Sequence, residues 1–127
     1  MNASSILIVD DDEATCVVLA LALRGDGYQC KLAHSCGAAM ACLEEGPPPD
    51  LILLDLLLPD ANGIELLRRL TTRADWHGIP VVIMSAWGEA DGIARSARRE
   101  LLAKPFSLRL IEETVRRHVI PNSYPLT

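Results

Sequence analysis

Four short apolar runs, each ended by a polar side chain, constrain the fold of this chain most strongly. They are residues 6–9 before Asp10, residues 51–54 before Asp55, residues 81–84 before Ser85, and residues 101–103 before Lys104. Short apolar runs that break at a polar group are typical of buried strands in a parallel sheet. Because ligands bind at the carboxyl ends of such strands, we expect the four polar groups to meet at one edge of the sheet.

Segments with helical periodicity lie between these runs. The expected helices cover residues 14–24, a segment from Ser35 or Cys36 to Glu45, a segment with its apolar face on Ile64, Leu67 and Leu70, residues 88–99, and a last helix with Leu108, Ile111, Val115 and Val119 inward. A short second strand is expected at residues 29–33. The alternation predicts an α/β fold, a doubly wound five-stranded parallel sheet with five helices on both faces.

Size and composition predict one domain, over residues 1–120, with a short tail at residues 121–127. The net charge of −5 argues against nucleic-acid binding, which normally needs a basic surface. No apolar run approaches the roughly 18 to 20 residues of a membrane span, and no signal peptide is evident, so we expect a cytoplasmic protein without membrane contact.

The cysteines do not form a C-x-x-C pair, and all four fall in the first third of the chain, on segments expected to be packed. They are Cys16, Cys30, Cys36 and Cys42. We expect buried, reduced thiols rather than a metal or redox site.

The expected cluster of strand ends suits phosphoryl chemistry. Carboxylates held together repel unless a cation joins them, and oxygen ligands from aspartate suit Mg²⁺. A nearby ammonium and a small hydroxyl would then hold an anion on that metal. An aspartate in such a site can itself be the nucleophile and form an aspartyl phosphate.

Residues 5 to about 119 closely resemble the receiver domain of two-component response regulators. Four motifs in order carry the resemblance: Asp10-Asp11, Asp55 within residues 55–63, Ser85-Ala86, and Lys104-Pro105-Phe106. The resemblance implies the strand order 2-1-3-4-5 of flavodoxin-like folds. It also implies a signalling domain that catalyses only its own phosphorylation and dephosphorylation, rather than an enzyme with a separate substrate.

The resemblance assigns a role to each motif residue. Asp55 is the expected phosphoacceptor, with Ser85 and Lys104 holding the phosphoryl oxygens. Mg²⁺ or Mn²⁺ would be bound by Asp55, by Asp11 directly and by Asp10 through water, with the backbone carbonyl of Leu57 as a further ligand. The Lys104–Pro105 peptide bond is expected to be cis. Asp12, in contrast, is expected to cap the first helix.

Two departures from the family pattern lie in the segment that follows Ser85. Leu101 occupies the position of the usual Tyr or Phe, and the segment from Ser85 to Lys104 is about three residues short, so the fourth helix should be shortened or irregular. These departures suggest a second hypothesis, a receiver-like interaction module that acts without phosphorylation. A third, a phosphohydrolase with Asp10 as nucleophile, is disfavoured because the threonine of the Asp-x-Asp-x-Thr motif is missing.

The expected partners are a histidine kinase or phosphotransfer domain, and a downstream protein that the sequence does not identify. The first helix is apolar nearly all round, although a surface helix normally keeps a polar face. Ala14, Val18 and Leu21 are the positions expected to be exposed, and they form a candidate docking patch for the phosphodonor. Deeper burial or a dimer contact remains an equal alternative.

Overall fold

Five strands alternate with five helices in the computed structural model, which describes residues 4–60, 63–86 and 88–119. The elements are β1 Ser5–Val9, α1 Glu13–Gly25, β2 Gln29–Ala33, α2 Cys36–Glu45, β3 Leu51–Asp55, α3 Gly63–Thr72, β4 Val81–Ser85, α4 Ala90–Ala97, β5 Glu100–Ala103 and α5 Leu108–His118. The predicted alternation is confirmed. The expected tail at residues 121–127 lies outside the described residues.

The strands form one parallel sheet in the order β2-β1-β3-β4-β5, as predicted. Their register keeps the carboxyl ends level. Val9 pairs with both Ala33 and Leu54, and Ser85 pairs with Ala103. Residues that directly follow β1, β3, β4 and β5 therefore emerge along the same edge.

Alternating side chains of the strands supply two cores, one on each face of the sheet. Ile6 and Ile8 of β1 face α1 and α5, whereas Leu7 and Val9 face α2, α3 and α4. Strands β3 and β4 are buried at every position, as expected of central strands covered on both faces.

Helix α1 exposes the three residues predicted for its outer face. Val18 is 48 % exposed and Leu21 is 65 % exposed, and Ala14 is exposed as well. Leu19 and Leu23 are buried against the sheet. The alternative of deeper burial for the exposed residues is therefore wrong for this chain.

Among the described helices, none combines the length and apolar character needed to cross a bilayer.

Two helix faces differ from the prediction. Leu108, expected in the core, is 41 % exposed because it begins α5 at the rim of the sheet; the later positions Ile111, Val115 and Val119 are buried. On α3 the core face includes Leu66, while Ile64 is only partly buried. Apolar spacing identified these helices, but it could not show how far the neighbouring elements cover each turn.

The cysteines are free thiols, as predicted. Cys16, Cys30 and Cys36 are buried, and Cys42 is partly exposed. Burial raises the pKa of Cys16 and of Cys30 to about 11, so both remain protonated thiols at neutral pH.

Helix α4 is the shortest of the five helices, in agreement with the predicted shortening, and it spans less than the expected residues 88–99. It ends in a left-handed turn at Arg98, with φ 56° and ψ 44°. The amide of Arg99 donates to the carbonyl of Ala94 at 2.8 Å, and that of Arg98 donates to the carbonyl of Arg95 at 3.1 Å. Helices that end this way usually have glycine at the left-handed position.

Replacing Arg98 with glycine should therefore stabilise the domain. Glycine adopts the left-handed conformation without the steric cost that arginine has, and part of that gain is offset by the greater entropy of the unfolded chain. We expect a net gain of about 0.5–1 kcal/mol in the free energy of unfolding, measured by urea denaturation. Arg98→Ala is the control, because it removes the charge but keeps the strained conformation. If Arg98→Ala stabilised the domain equally, strain at this turn would not be the cause.

Candidate functional site

The register of the sheet brings the predicted site residues together. The last residue of β1 pairs with Leu54 of β3, so Asp10 and Asp55 follow side by side. Ser85, the last residue of β4, pairs with the last residue of β5, and Lys104 follows directly. Residues far apart in the sequence thus converge on one edge, as the apolar runs predicted.

The ammonium of Lys104 joins the two buried carboxylates of the site. Its Nζ lies 2.6 Å from Oδ2 of Asp10 and 3.0 Å from Oδ2 of Asp55. Asp10 is fully buried, and Asp55 is 6 % exposed. Burial lowers the pKa of Lys104, but the hydrogen bonds to Asp10 and Asp55 outweigh it, and the pKa lies above its usual value. Lys104 is therefore charged at neutral pH.

The second oxygen of each carboxylate is held by the backbone. Oδ1 of Asp10 accepts a hydrogen bond from the amide of Asp12 at 2.9 Å. Oδ1 of Asp55 accepts one from the amide of Leu57 at 3.1 Å. Both carboxylates are thus fixed in orientation before any ligand binds.

Three carboxylates are close enough to share one cation. Oxygen atoms of Asp10, Asp11 and Asp55 lie within 4.8 Å of one another, and Asp11 is exposed at the rim. The cluster has three acidic side chains, two of which contact the ammonium of Lys104, so its formal charge is negative. This hard oxygen set fits Mg²⁺ or Mn²⁺. The carbonyl of Leu57 as a further ligand stays a prediction.

Ser85 and Lys104 are coupled through the backbone. Ser85 is 2 % exposed, and its carbonyl accepts a hydrogen bond from the amide of Lys104 at 3.0 Å. The Lys104–Pro105 peptide bond is cis, as the resemblance implied.

Asp12 lies at the N-cap of α1, as predicted, but its carboxylate contacts a side chain. It accepts a hydrogen bond from the hydroxyl of Thr15, which lowers the pKa of Asp12. The backbone of Thr15 and of Ala14, in the first turn of α1, lowers this pKa further. Asp12 is also outside the acidic cluster, which agrees with a structural role.

Two residues that contact the site were not recognised from the sequence. The thiol of Cys16 donates to the carbonyl oxygen of Asp10 at 3.3 Å, and Nδ1 of His34 lies 3.1 Å from the same oxygen. Together they fix the backbone of the buried aspartate. Their spacing of 18 residues gives no sequence signal for this convergence.

Gly63 packs directly against the backbone of the predicted phosphoacceptor and of Leu56. Its amide donates to the carbonyl of Leu56 at 2.7 Å. A Cβ atom at this position would lie 2.6 Å from Cα of Leu56 and 2.7 Å from the carbonyl oxygen of Asp55. Both neighbours are backbone atoms, so only glycine fits without displacing the chain next to Asp55.

Gly63→Ala should therefore destabilise the domain by about 2–3 kcal/mol, since the overpacked contact can be relieved only by moving the backbone. Urea denaturation monitored by circular dichroism would measure the loss. Gly92→Ala is the matched control, because Gly92 is also helical and a Cβ there would meet nothing within 4 Å. Equal stabilities of the Gly63→Ala variant and the wild type would contradict the proposed contact.

An apolar groove of about 540 Å³ lies next to the site, between α1 and the segment that leads into α5. Ala14 and Val18 line one wall, and Phe106 and Leu108 line the other. Lys104 also borders the groove, so it opens beside the acidic cluster. Leu21 is exposed farther along α1 and does not line it. The exposed position of Leu108, which contradicted the predicted core face, makes it part of this surface.

The sheet order and the acidic cluster at its carboxyl edge define a flavodoxin-like α/β domain. The chain belongs to the response regulator receiver domain family, whose model matches residues 6–116. It is therefore a receiver domain of the two-component response regulators, and both the resemblance and the fold class are confirmed.

Curated relatives are larger regulators. The chain is 38 % identical over 112 residues to the phosphate regulon transcriptional regulatory protein PhoB of Pseudomonas aeruginosa, covering 86 % of the chain and 48 % of that protein. It is 35 % identical over 114 residues to the DNA-binding response regulator MtrA of Mycolicibacterium smegmatis, covering 87 % and 48 %. The chain thus spans about half the length of these relatives.

The expected absence of nucleic-acid binding finds no support, since the first relative is named a transcriptional regulator and the second a DNA-binding one.

Solved structures agree with the fold. The receiver domain of a sensor histidine kinase from Pseudomonas aeruginosa, solved with a magnesium ion in its active site cleft, has a TM-score of 0.81 and 24 % identity. The match covers 92 % of this chain and 98 % of that one.

Proposed function

We propose that this receiver domain accepts a phosphoryl group on Asp55 in a Mg²⁺-dependent reaction and signals by altered binding to a downstream protein. The observation that carries the proposal is Lys104, shared by two buried carboxylates beside the exposed Asp11. Such a set provides a carboxylate oxygen as the nucleophile and the ammonium of Lys104 as a fixed positive charge. Its three carboxylates lie close enough together to bind one cation. We propose a signalling role, in which the domain promotes only its own phosphorylation and dephosphorylation at Asp55.

In this proposal Asp55 is the nucleophile. One carboxylate oxygen attacks the phosphorus of the donor, and the bond between phosphorus and the donor's leaving group breaks. The amide of Leu57 and the ammonium of Lys104 hold the carboxylate in place before the attack. Lys104 and the hydroxyl of Ser85 would then bind the oxygens of the transferred group, because Ser85 ends β4 and Lys104 directly follows the neighbouring strand β5.

Asp10, Asp11 and Asp55 would hold the metal ion. Their oxygen donors and excess negative charge suit Mg²⁺ or Mn²⁺, and the magnesium in the related receiver structure is consistent with this assignment. When bound, the cation neutralises charge on the phosphoryl oxygens and on the carboxylates.

Incubation with Mg²⁺ and a small phosphodonor such as acetyl phosphate should add one phosphoryl group to the protein, located at Asp55 by peptide mass spectrometry after borohydride reduction. Asp55→Asn should abolish the label, and so should chelation of the metal with EDTA. A label on Asp10 with continuous turnover would support the phosphohydrolase hypothesis instead. A wild-type protein that stays unlabelled would leave only the phosphorylation-independent module.

We further propose that a histidine kinase or phosphotransfer domain docks on the exposed apolar face of α1, at Ala14, Val18 and Leu21. The groove next to Lys104 supports this location, because a donor seated there would lie against the edge that contains Asp55. Exposed apolar surface of this kind is typical of interaction sites.

Val18→Glu should slow phosphoryl transfer from the cognate donor protein by about tenfold, because a charge in the groove would be desolvated on docking. The rate with acetyl phosphate should not change, since that donor needs no protein contact. Leu110→Glu is the matched control, as Leu110 is similarly exposed at 40 % but lies outside the groove. Equal transfer rates for the two variants would exclude docking at this groove.

The phosphorylation-independent hypothesis has less support. Its basis is Leu101, which is partly buried against the core on the α4 face, and the short α4 itself. These features change the segment in which the family usually has a Tyr or Phe, but they leave the carboxylates, Ser85 and Lys104 assembled. We therefore propose that phosphorylation changes the segment after Ser85 without rotation of an aromatic side chain.

A further inference from the structure

Asp60 joins the loop after β3 to the start of α2 at the carboxyl edge of the sheet. Its Oδ1 accepts a hydrogen bond from the amide of Cys36, and its Oδ2 accepts one from the amide of Gly37, both at 2.9 Å. Cys36 and Gly37 begin α2, whereas Asp60 belongs to the loop after β3.

The start of α2 depends on this carboxylate. The first amides of a helix have no partner within the helix itself. Ser35, the N-cap, accepts from the amide of Ala38 at 3.0 Å, and its carbonyl accepts from Ala39. The two remaining amides, those of Cys36 and Gly37, donate to Asp60. Ser35 thus caps α2 in part, and Asp60, from the loop after β3, completes the cap.

The same carboxylate fixes the loop that carries the proposed phosphoacceptor. We name residues 55–60 the acceptor loop. It begins on β3 at Asp55, and the amide of Leu57 is bound to the carboxylate of Asp55. Its far end is tied to α2 through Asp60. The backbone of Leu57, a predicted metal ligand, therefore lies between two anchored points.

We propose that Asp60 is a positioning residue for the reaction at Asp55, which holds the acceptor loop against α2 so that the backbone at Leu57 is in place for the metal ion. The inference rests on the proposed function, because it assigns Asp60 to that same site. A carboxylate suits the role better than an amide, since it accepts from two amides at once and its charge is favoured at a helix N-terminus. Asp60 itself does not need to touch the metal or the phosphoryl group.

The test compares two variants that weaken the same helix start. Asp60→Ala removes the cap that comes from the acceptor loop, and Ser35→Ala removes the cap that comes from α2's own segment. Mg²⁺ affinity is measured for the full chain by following amide NMR shifts during MgCl₂ titration. The rate of phosphorylation by acetyl phosphate is measured at low and at saturating Mg²⁺.

We expect Asp60→Ala to weaken Mg²⁺ binding by about tenfold, in the range seen when groups that orient metal ligands are removed. Phosphorylation should slow at low Mg²⁺ and recover largely at saturation. Asp60→Asn, which keeps one acceptor oxygen, should fall between the wild type and Asp60→Ala. Ser35→Ala should lower the unfolding temperature while its Mg²⁺ affinity stays that of the wild type.

Three results would overturn the inference. If Asp60→Ala lowered only the unfolding temperature, Asp60 would be a helix cap and nothing more. If Ser35→Ala weakened Mg²⁺ binding as much as Asp60→Ala, the cause would be general loosening of α2. If the wild type bound no Mg²⁺ and took no phosphoryl group, the proposed function would fail, and the inference with it; in the first two cases the proposed function would stand.

Discussion

The contact of one ammonium with two buried carboxylates is the interaction on which this receiver domain's site depends. Lys104 reaches Asp10 across 94 residues of sequence and Asp55 across 49. It therefore ties the ends of β1, β3 and β5 to one point. Removing one partner from a buried ion pair is costly, on the order of 3–5 kcal/mol, because a charge is left without compensation. Here three strands must keep their register for the pairing to exist at all.

The sheet and the central residues of the site could be predicted because both leave a local signal. An apolar run that stops at a charge marks a buried strand and the polar group at its carboxyl end in the same few residues, so Asp10, Asp55 and Lys104 were identified together. The strand order and the separate roles of these residues needed the family resemblance. The contact of Asp60 with Cys36 and Gly37 could not be recognised in this way, because a contact between a loop and a distant helix start leaves no periodic pattern in the sequence.

Errors in the prediction have equally specific causes. Leu108 has the spacing of a core residue, but it lies in the first turn of α5, where the sheet no longer covers the helix. The end of α4 was placed too late because a left-handed turn is normally marked by glycine, and Arg98 occupies it here. In both cases a helix is present where the sequence predicted one, but the surrounding structure determines which residues are buried and where the helix ends.

The division of the core by the sheet has a further consequence. Helices α1 and α5 cover one face, and α4 lies on the opposite face with α2 and α3. A protein seated on α1 therefore leaves the surface of α4 open to a second protein. A phosphodonor docked on α1, as proposed, and a second protein on the α4 face would not compete for the same surface of the domain.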